Sequence, residues 1–317
     1  MSTARTDVLI VGAGVSGLTT GVRLAERGLR VRVRTARGPA RSTSAAAGAM
    51  WDPMHAHHPD MKRWSRRTHE VFENLDGVAG VKLVDGTEAS RDPIPLPERC
   101  WEMSYRECKA PELPDGFATG WRYMAPLIDM PVYLAYLLKR LKAAGGKVEY
   151  GRLRTLDEAF ATASVVVNCA GSAARELVPD DRVTSVCGHL VLVRNPGIRE
   201  FFVEHTDDLR ETTYLLPQGR VLVLGGNATE GCVEPVLDRG IAAGIRNRCI
   251  SVFPEVAKAK ILGYRVGSRP VRPEVRLEIE PRGSRRHVVH NYGHAGSGVS
   301  LSWGCADDVA MLVDELV

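Results

Sequence analysis

The chain has 317 residues, 44% apolar and 25% charged, enough for one large domain or two interlocked ones around a substantial core. Those proportions exclude a disordered, collagenous or disulfide-scaffold protein. The net charge of +4 is too small to imply a nucleic-acid partner, and no apolar run approaches the ~20 residues that span a bilayer.

The N-terminus enters a short strand without an apolar signal region, so the expected compartment is the cytoplasm. Asp7–Val11 (DVLIV) reads as a buried parallel strand, and Leu18–Arg27 carries helical spacing that stops at Gly28. Leu29–Arg34 alternates as a second strand, completing a βαβ unit. Arg37 to about Trp121 is mixed, with one helix over Met61–Leu75. Pro131–Ala144 is an amphipathic helix stopped by Gly145 and Gly146, and short strands follow at Lys147–Tyr150 and Ser164–Gly171. Alternating strands fill Val183–Gly226, including a hairpin from Tyr214 to Leu224. A helix is expected over Val236–Ser251, a late strand over residues 286–290, then a Gly-rich loop and a C-terminal helix. Interleaving of βαβ and antiparallel segments predicts two domains, each discontinuous in sequence. The seven Cys are odd in number and scattered without a CxxC, and most are expected to be reduced.

Gly12-x-Gly14-x-x-Gly17 directly follows a strand and opens a helix, the context a dinucleotide fingerprint requires. The helix N-terminus then offers free amides to a pyrophosphate. The acidic residue expected ≈ 20 residues on is replaced by Arg34-Thr35-Ala36-Arg37. Either the two arginines receive a 2′-phosphate, which means NADP, or Thr35 and backbone groups hold an adenosine ribose.

The C-terminal stretch Val288-Val-His-Asn-Tyr-Gly-His-Ala-Gly-Ser-Gly298, then Gly304, Cys305 and Ala306 after five residues, resembles the D-amino-acid oxidase family. Further matches run in order: Arg41–Trp51 with the flavin-contacting loop, Val165–Gly171 with a mid-chain FAD strand, Thr213–Pro217 and Leu224–Gly226 with a hairpin, and Arg269–Arg276 with an arginine strand. The resemblance implies noncovalent FAD rather than NADP, and an α/β fold. A Rossmann-like FAD-binding domain (1–50, 127–181, 281–317) would join a substrate-binding domain of mixed or antiparallel sheet (51–126, 182–280). It implies FAD contacts at Gly12, Ala13, Gly14, Val15, Ser16, Gly17, Thr35 and Arg37. Others follow at Thr43, Ser44, Ala47, Gly48, Met50, Gly171, Arg276, Gly296, Gly298, Val299 and Ser300.

The resemblance makes Arg276 the carboxylate anchor, Tyr214 a second donor, and the Gly296 carbonyl the acceptor for the amine. An arginine fork matches a carboxylate bidentately, as a lysine cannot. Hydride transfer from Cα to flavin N5 then needs no side-chain base, and the C-terminal helix is expected to aim its positive end at the flavin. The substrate pocket is expected from Trp51, Met54, Arg210, Tyr214, Arg276 and Gly296. Arg210 stands where eukaryotic relatives carry a lid Tyr. Ala228 and Met54 replace the Arg and His of acidic-substrate relatives, so neutral D-amino acids are the expected substrates, with oxygen as acceptor.

The alternatives are an oxidase of glycine, a secondary amine or a pathway-specific amine, a flavin-binding protein without turnover, and an NADP-dependent reductase. The run His55-Ala-His57-His58-Pro-Asp60 lacks a helix-phased partner and reads as polar surface, so no metal is expected. Expected partners are a small amino acid and molecular oxygen, with no nucleic acid and no membrane; homodimerisation is left open. The resemblance gives His290 and His294 structural and FAD-lining roles, and leaves Cys305 without a bond to the flavin.

Overall fold

The computed structural model describes residues 6–95, 104–232 and 234–317. The first apolar run is β1 (Val8–Val11), buried throughout, and α1 (Val15–Glu26) follows the Gly-rich turn and ends just before Gly28, whose φ is +89°. In β2 (Val31–Thr35) Val31, Val33 and Thr35 are buried while Arg32 and Arg34 are half-exposed, the alternation expected from its sequence. A single turn, α2 (Thr43–Ala46), is capped by Ser42, whose Oγ accepts from the Ala45 amide. The helix α3 (Met61–Glu73) follows.

The stretch that reads as mixed contains two ten-residue strands, β3 (Val81–Ser90) and β5 (Thr119–Ile128), with the short β4 (Tyr105–Glu107) beside β5. Their Gly, Asp and Pro content hides them from propensity. Antiparallel pairing along their whole length, from Val81–Ile128 to Ser90–Thr119, overrides it. Next come α4 (Met130–Ala143), β6 (Lys147–Tyr150), β7 (Val165–Asn168) and the single turn α5 (Ala174–Leu177). The alternating region is β8 (Thr184–Arg194), β9 (Phe201–Glu204), β10 (Tyr214–Gln218) and β11 (Val221–Gly225), with the two-residue β12 (Thr229–Glu230) against β8. Helix α6 (Arg239–Val252) starts three residues later than its apolar spacing suggests, because Asp238 Oδ1 caps the amides of Gly240 and Ile241. The 21-residue β13 (Ile261–Pro281), then β14 (His287–His294) and α7 (Ser302–Asp314) complete the chain.

Among the described residues these strands form one sheet, ordered β4-β5-β3-β9-β10-β11-β8-β13-β14-β7-β1-β2-β6. The β14-β7-β1-β2-β6 end is parallel. On it Val8, Ile10, Val165 and Val167 face helices α1, α4 and α7, while Leu9, Val11 and Val166 face Leu153, Leu156 and Ala159. At the other end Leu215, Leu222 and Leu224 pack under α6 through Ala242 and Ile245, and Leu216 and Val223 face the β5 side chains Tyr123 and Leu127. β13 joins the two ends. Its first part, through Val271, pairs with β8; after a register shift its last part, from Arg276, pairs with β14. Pro270 and Pro273 lie at this exchange of partners, where a missing N–H interrupts least of the ladder.

Cys187 and Cys232 are joined in a disulfide, whereas Cys169, Cys249 and Cys305 are buried thiols and Cys108 is a half-buried one. Among the described residues no helix is long and apolar enough to cross a membrane. His58 stacks on Trp64 with ring centroids 4.2 Å apart and accepts from the Asp60 amide, and no described cluster of His, Cys, Asp and Glu has the makings of a metal site.

Candidate active site

The fingerprint glycines are required by backbone, not by flexibility. Gly12 has a φ of +106°, and a Cβ there would fall 2.4 Å from the Cys169 carbonyl oxygen; one on Gly17 would fall 2.0 Å from the Gly12 carbonyl oxygen. Gly14 is the N-cap of α1, whose first turn carries no acidic residue and no side-chain cap; the Val15 amide reaches across to Ser44 Oγ at 3.0 Å. A helix end left open in this way fits a diphosphate. At the end of β2, Thr35 Oγ1 donates to the Arg37 carbonyl at 2.7 Å, so that hydroxyl is committed to its own loop.

Residues 267–270 of β13 draw the other expected flavin loops together. Thr43 Oγ1 donates to the Ser268 carbonyl at 3.1 Å, and Gly267 lies so close to Ala46 that a Cβ would sit 3.1 Å from its methyl. The Pro270 carbonyl accepts from the Ala295 amide at 3.0 Å, and Gly171, with φ +58°, faces the Pro270 ring. The loop after α2 is fixed by Gln218 Nε2 donating to the Gly48 carbonyl at 2.7 Å and by Arg265 Nη1 to the Ala47 carbonyl at 3.4 Å. Met50 bridges to Leu127. Ser300 Oγ accepts from the Asp52 amide and donates to its carbonyl, and Ser297 Oγ accepts from the His55 amide, which sets the His55 ring against Gly296. Gly298 and Val299 lie within this stitched loop, and Val299 accepts from Ser302 Oγ. The hydroxyls of Ser172 and Ser268 are buried without a hydrogen-bond partner, beside Gly171 and Thr43. Buried polar atoms without partners are costly, so this pair fits the polar groups of a bound cofactor.

On the β8 side, the Tyr214 ring lies directly on Gly225 and Gly226: a Cβ at either would fall 1.9 or 2.7 Å from it. Burial pushes the Tyr214 hydroxyl pKa up, and the positive charge of Arg269 pulls against that shift. Arg269 Nη1 donates to the Asn227 carbonyl at 3.2 Å, and its guanidinium covers Gly188, where a Cβ would be 2.5 Å away. Arg269 pairs with no described carboxylate.

Arg276, the expected anchor, is placed differently. Its guanidinium donates to Glu278 at 2.6 Å, Glu280 at 2.9 Å and the Tyr292 hydroxyl at 3.0 Å. Burial acts to lower its pKa, but these partners outweigh it and the net shift is upward. It sits on the β14 side of the register shift and is not brought to Tyr214. Arg272, the other arginine of this segment, is buried against Asp180 at 3.0 Å. Trp51 is turned into the core. It is 2% exposed, its Nε1 donates to the Ser65 carbonyl, and its ring meets His69 edge-on at 4.7 Å. Met54 is exposed. Arg210 is exposed and bonded to Asp208 at 2.8 Å, holding that carboxyl down at about 2. The start of α7 is engaged by the protein itself: the Trp303 and Gly304 amides both donate to Thr68 Oγ1 at 3.2 Å. Gly304 is needed because a Cβ there would fall 2.2 Å from the Trp64 backbone.

Sequence reasoning passed over Arg269, Asn227, Ser172 and Ser268. Strand parity held a signal for the first, since Arg272 and Arg276 share a parity that Arg269 does not.

The profile of the DAO family, FAD-dependent oxidoreductases, matches residues 7–312, so the chain belongs to that family. It is similar to the D-amino-acid oxidase of Rubrobacter xylanophilus, 43% identical over 310 residues, which span 96% of this chain and 94% of that protein. The D-amino-acid oxidase of Streptomyces coelicolor is also 43% identical, over 312 residues and 96% of both chains. The solved glycine oxidase from Geobacillus kaustophilus superposes with a TM-score of 0.82 over 99% of this chain and 96% of its own, at 21% identity, which is a likeness of fold. The protein is thus an FAD-dependent oxidoreductase.

Proposed function

We propose that the protein oxidises neutral D-amino acids to 2-oxo acids, consuming oxygen and water and releasing ammonia and hydrogen peroxide. The observation that carries this reading is an arginine fork without a carboxylate partner among the described residues, Arg269, beside the buried hydroxyl of Tyr214. Such a fork suits a substrate carboxylate held by two parallel hydrogen bonds. In this reading Arg269 takes the role expected of Arg276, and Tyr214 donates to the same carboxylate. The Gly296 carbonyl accepts from the amine; the space a side chain would take at this position is filled by the His55 ring. Bound FAD supplies the acceptor for the hydride leaving Cα. The protein's own share is to hold the carboxylate, orient Cα and exclude water. The two relatives named D-amino-acid oxidase support the D configuration.

Cys305 is 1% exposed, and burial raises its thiol pKa; both support flavin held without a covalent bond. Acid precipitation should therefore release the yellow colour into the supernatant. Ala228 and exposed Met54 offer no cation to an acidic side chain, which would lose hydration without a partner. Neutral D-amino acids should exceed D-Asp and D-Glu in kcat/KM by at least ~10²-fold. The buried thiols fit a cytoplasmic protein, which fractionation of the native cells would check. The deciding experiment is anaerobic: D-Ala or D-Met should bleach the flavin. Bleaching by glycine or sarcosine alone would overturn the reading.

A further inference from the structure

We propose that residues 226–232 form a clasp that positions Arg269, and that the Cys187–Cys232 disulfide keeps it closed, so that reducing this bond weakens binding of the substrate carboxylate. The inference rests on the reading of Arg269 as the carboxylate anchor.

Arg269 lies on β13 opposite Val186 of β8, and its guanidinium turns back over Gly188. Its described hydrogen bond goes to a main-chain oxygen, that of Asn227. The aim of the fork therefore depends on where that carbonyl is held. Asn227 is 5% exposed and fixed by its side chain, with Oδ1 accepting from the His189 amide at 2.7 Å and Nδ2 donating to Thr229 Oγ1 at 2.9 Å. Beyond it the segment meets β8 through the two bridges of β12, Thr229 to Cys187 and Glu230 to Val186, and the next described hydrogen bonds with β8 come at Val236 and Asp238, through His189 Nε2. A two-residue strand is too short to hold an edge by itself.

The disulfide closes this gap. Cys187 is next to Gly188, over which the Arg269 guanidinium lies, and Cys232 is three residues past Thr229; the Cα atoms of Cys187 and Cys232 are 5.7 Å apart. Cys187 is buried, whereas Cys232 is half-exposed and offers a sulfur to an external thiolate. A dithiol attacks the Cys232 sulfur, the Cys187 thiolate leaves, and the second thiol of the reagent closes its own ring to free Cys232. Two protein thiols form and one dithiol is oxidised. In the reverse sense, hydrogen peroxide, the proposed reaction's own product, takes two electrons from the thiol pair, restoring the disulfide and leaving two waters. Turnover in oxygen would then keep the clasp closed.

The test compares the holoenzyme before and after dithiothreitol treatment and gel filtration, beside Cys232→Ser and Arg269→Lys. For each, KM and kcat are measured for D-Ala, benzoate affinity from flavin absorbance, free thiols, and Tm. Reduction and Cys232→Ser should each raise KM and the benzoate Kd about tenfold, with kcat held within about twofold. Dithiothreitol should not change Cys232→Ser further, and peroxide should return the reduced enzyme to its starting KM. A lower Tm with unchanged KM and benzoate Kd overturns the proposal, as does an untreated enzyme in which the Cys187 and Cys232 thiols titrate free. Should Cys232→Ser not fold, the reversible change in the wild-type enzyme decides alone. If Arg269→Lys leaves benzoate affinity intact, the anchor itself is misassigned. If it abolishes affinity while reduction does nothing, only the clasp fails.

Discussion

Arg269 and Arg276 stand on the two parts of β13, and the two side chains have opposite surroundings. Arg276 meets two carboxylates and a tyrosine hydroxyl, so its charge is matched within the protein. Arg269 meets a single carbonyl oxygen and a bare glycine backbone. A buried or half-buried cation that the protein leaves unmatched is costly unless a ligand matches it. Residue type is the same in both places; what differs is the partner strand, β8 for Arg269 and β14 for Arg276.

Replacing each arginine in turn is the strongest way to break that comparison. Arg269→Ala should lower kcat/KM by ~10²–10³ or more, as loss of a desolvated charged fork costs on the order of 3–5 kcal/mol. Arg269→Lys should also be poor. Arg276→Ala should leave kcat/KM within a few-fold and cost about 1–2 kcal/mol of stability, most of it from the Tyr292 and Glu280 bonds, since Glu278 is exposed. Rapid-mixing measurement of flavin reduction, with thermal unfolding of the same samples, reads both effects. The reverse pattern would return the anchor to Arg276.

The junction between the parts yields a second, pH-dependent difference. Val271, where β13 changes partner, pairs with His294, and burial alone lowers the His294 pKa to about 4. An unfolded His titrates near 6.5, so between about 6.5 and 4 the unfolded chain binds the extra proton. Stability is therefore fully present above about 6.5 and is lost as pH falls toward 4, by about 3 kcal/mol from this residue. His290, also lowered by burial, acts in the same direction. Unfolding from pH 7.5 to 4.5 should show a steeper loss in the wild type than in His294→Asn. Equal slopes would mean that His294 is not the buried neutral group.

Much of this was legible in the chain. Gly12 and Gly17 announce themselves because a strand, a tight turn and a helix in contact leave no room for Cβ, and that order is written in adjacent residues. Local information of this kind also set β1, α1, β2 and the Tyr214 hairpin. Arg269 was not legible in the same way. Three arginines stand within eight residues, and which one meets Tyr214 depends on a register shift decided by strands far away in sequence. Trp51 illustrates the same limit. A loop aromatic after a flavin segment suggests a pocket, yet its amide bonds to the Pro126 carbonyl and its ring is drawn into the core against α3. Cys187 and Cys232, 45 residues apart, become neighbours only through the β8–β12 pairing.

A smaller effect sharpens the β8 side. The Tyr214 hydroxyl is one donor beside a fork of several, so Tyr214→Phe should raise KM more than it lowers kcat, by roughly 0.5–1.5 kcal/mol. The ring itself remains packed on Gly225 and Gly226, so the fold should be undisturbed. An equal fall in kcat and kcat/KM would instead give the hydroxyl a role confined to the transition state.

The smallest effect is expected at Arg210, the cation nearest in sequence to Tyr214 and the one that could reverse the preference for neutral substrates. Its side chain is 81% exposed and is held by Asp208, both through Nε and through Nη2, within the short turn Leu209–Glu211. Asp208 stays ionised down to about 2, so at any working pH the guanidinium already has its counter-charge. To serve an acidic substrate it must leave that partner and its water for a carboxylate in the pocket, exchanging one solvated pair for another with no evident gain. Arg210→Ala should therefore change kcat/KM for D-Ala by less than about twofold and leave the ratio of D-Ala to D-Asp where it was. Should D-Asp prove a good substrate, and Arg210→Ala remove that activity alone, the counter-charge argument fails: the lid must swing Arg210 off Asp208 when substrate binds, and the β8 side would have two carboxylate-binding cations.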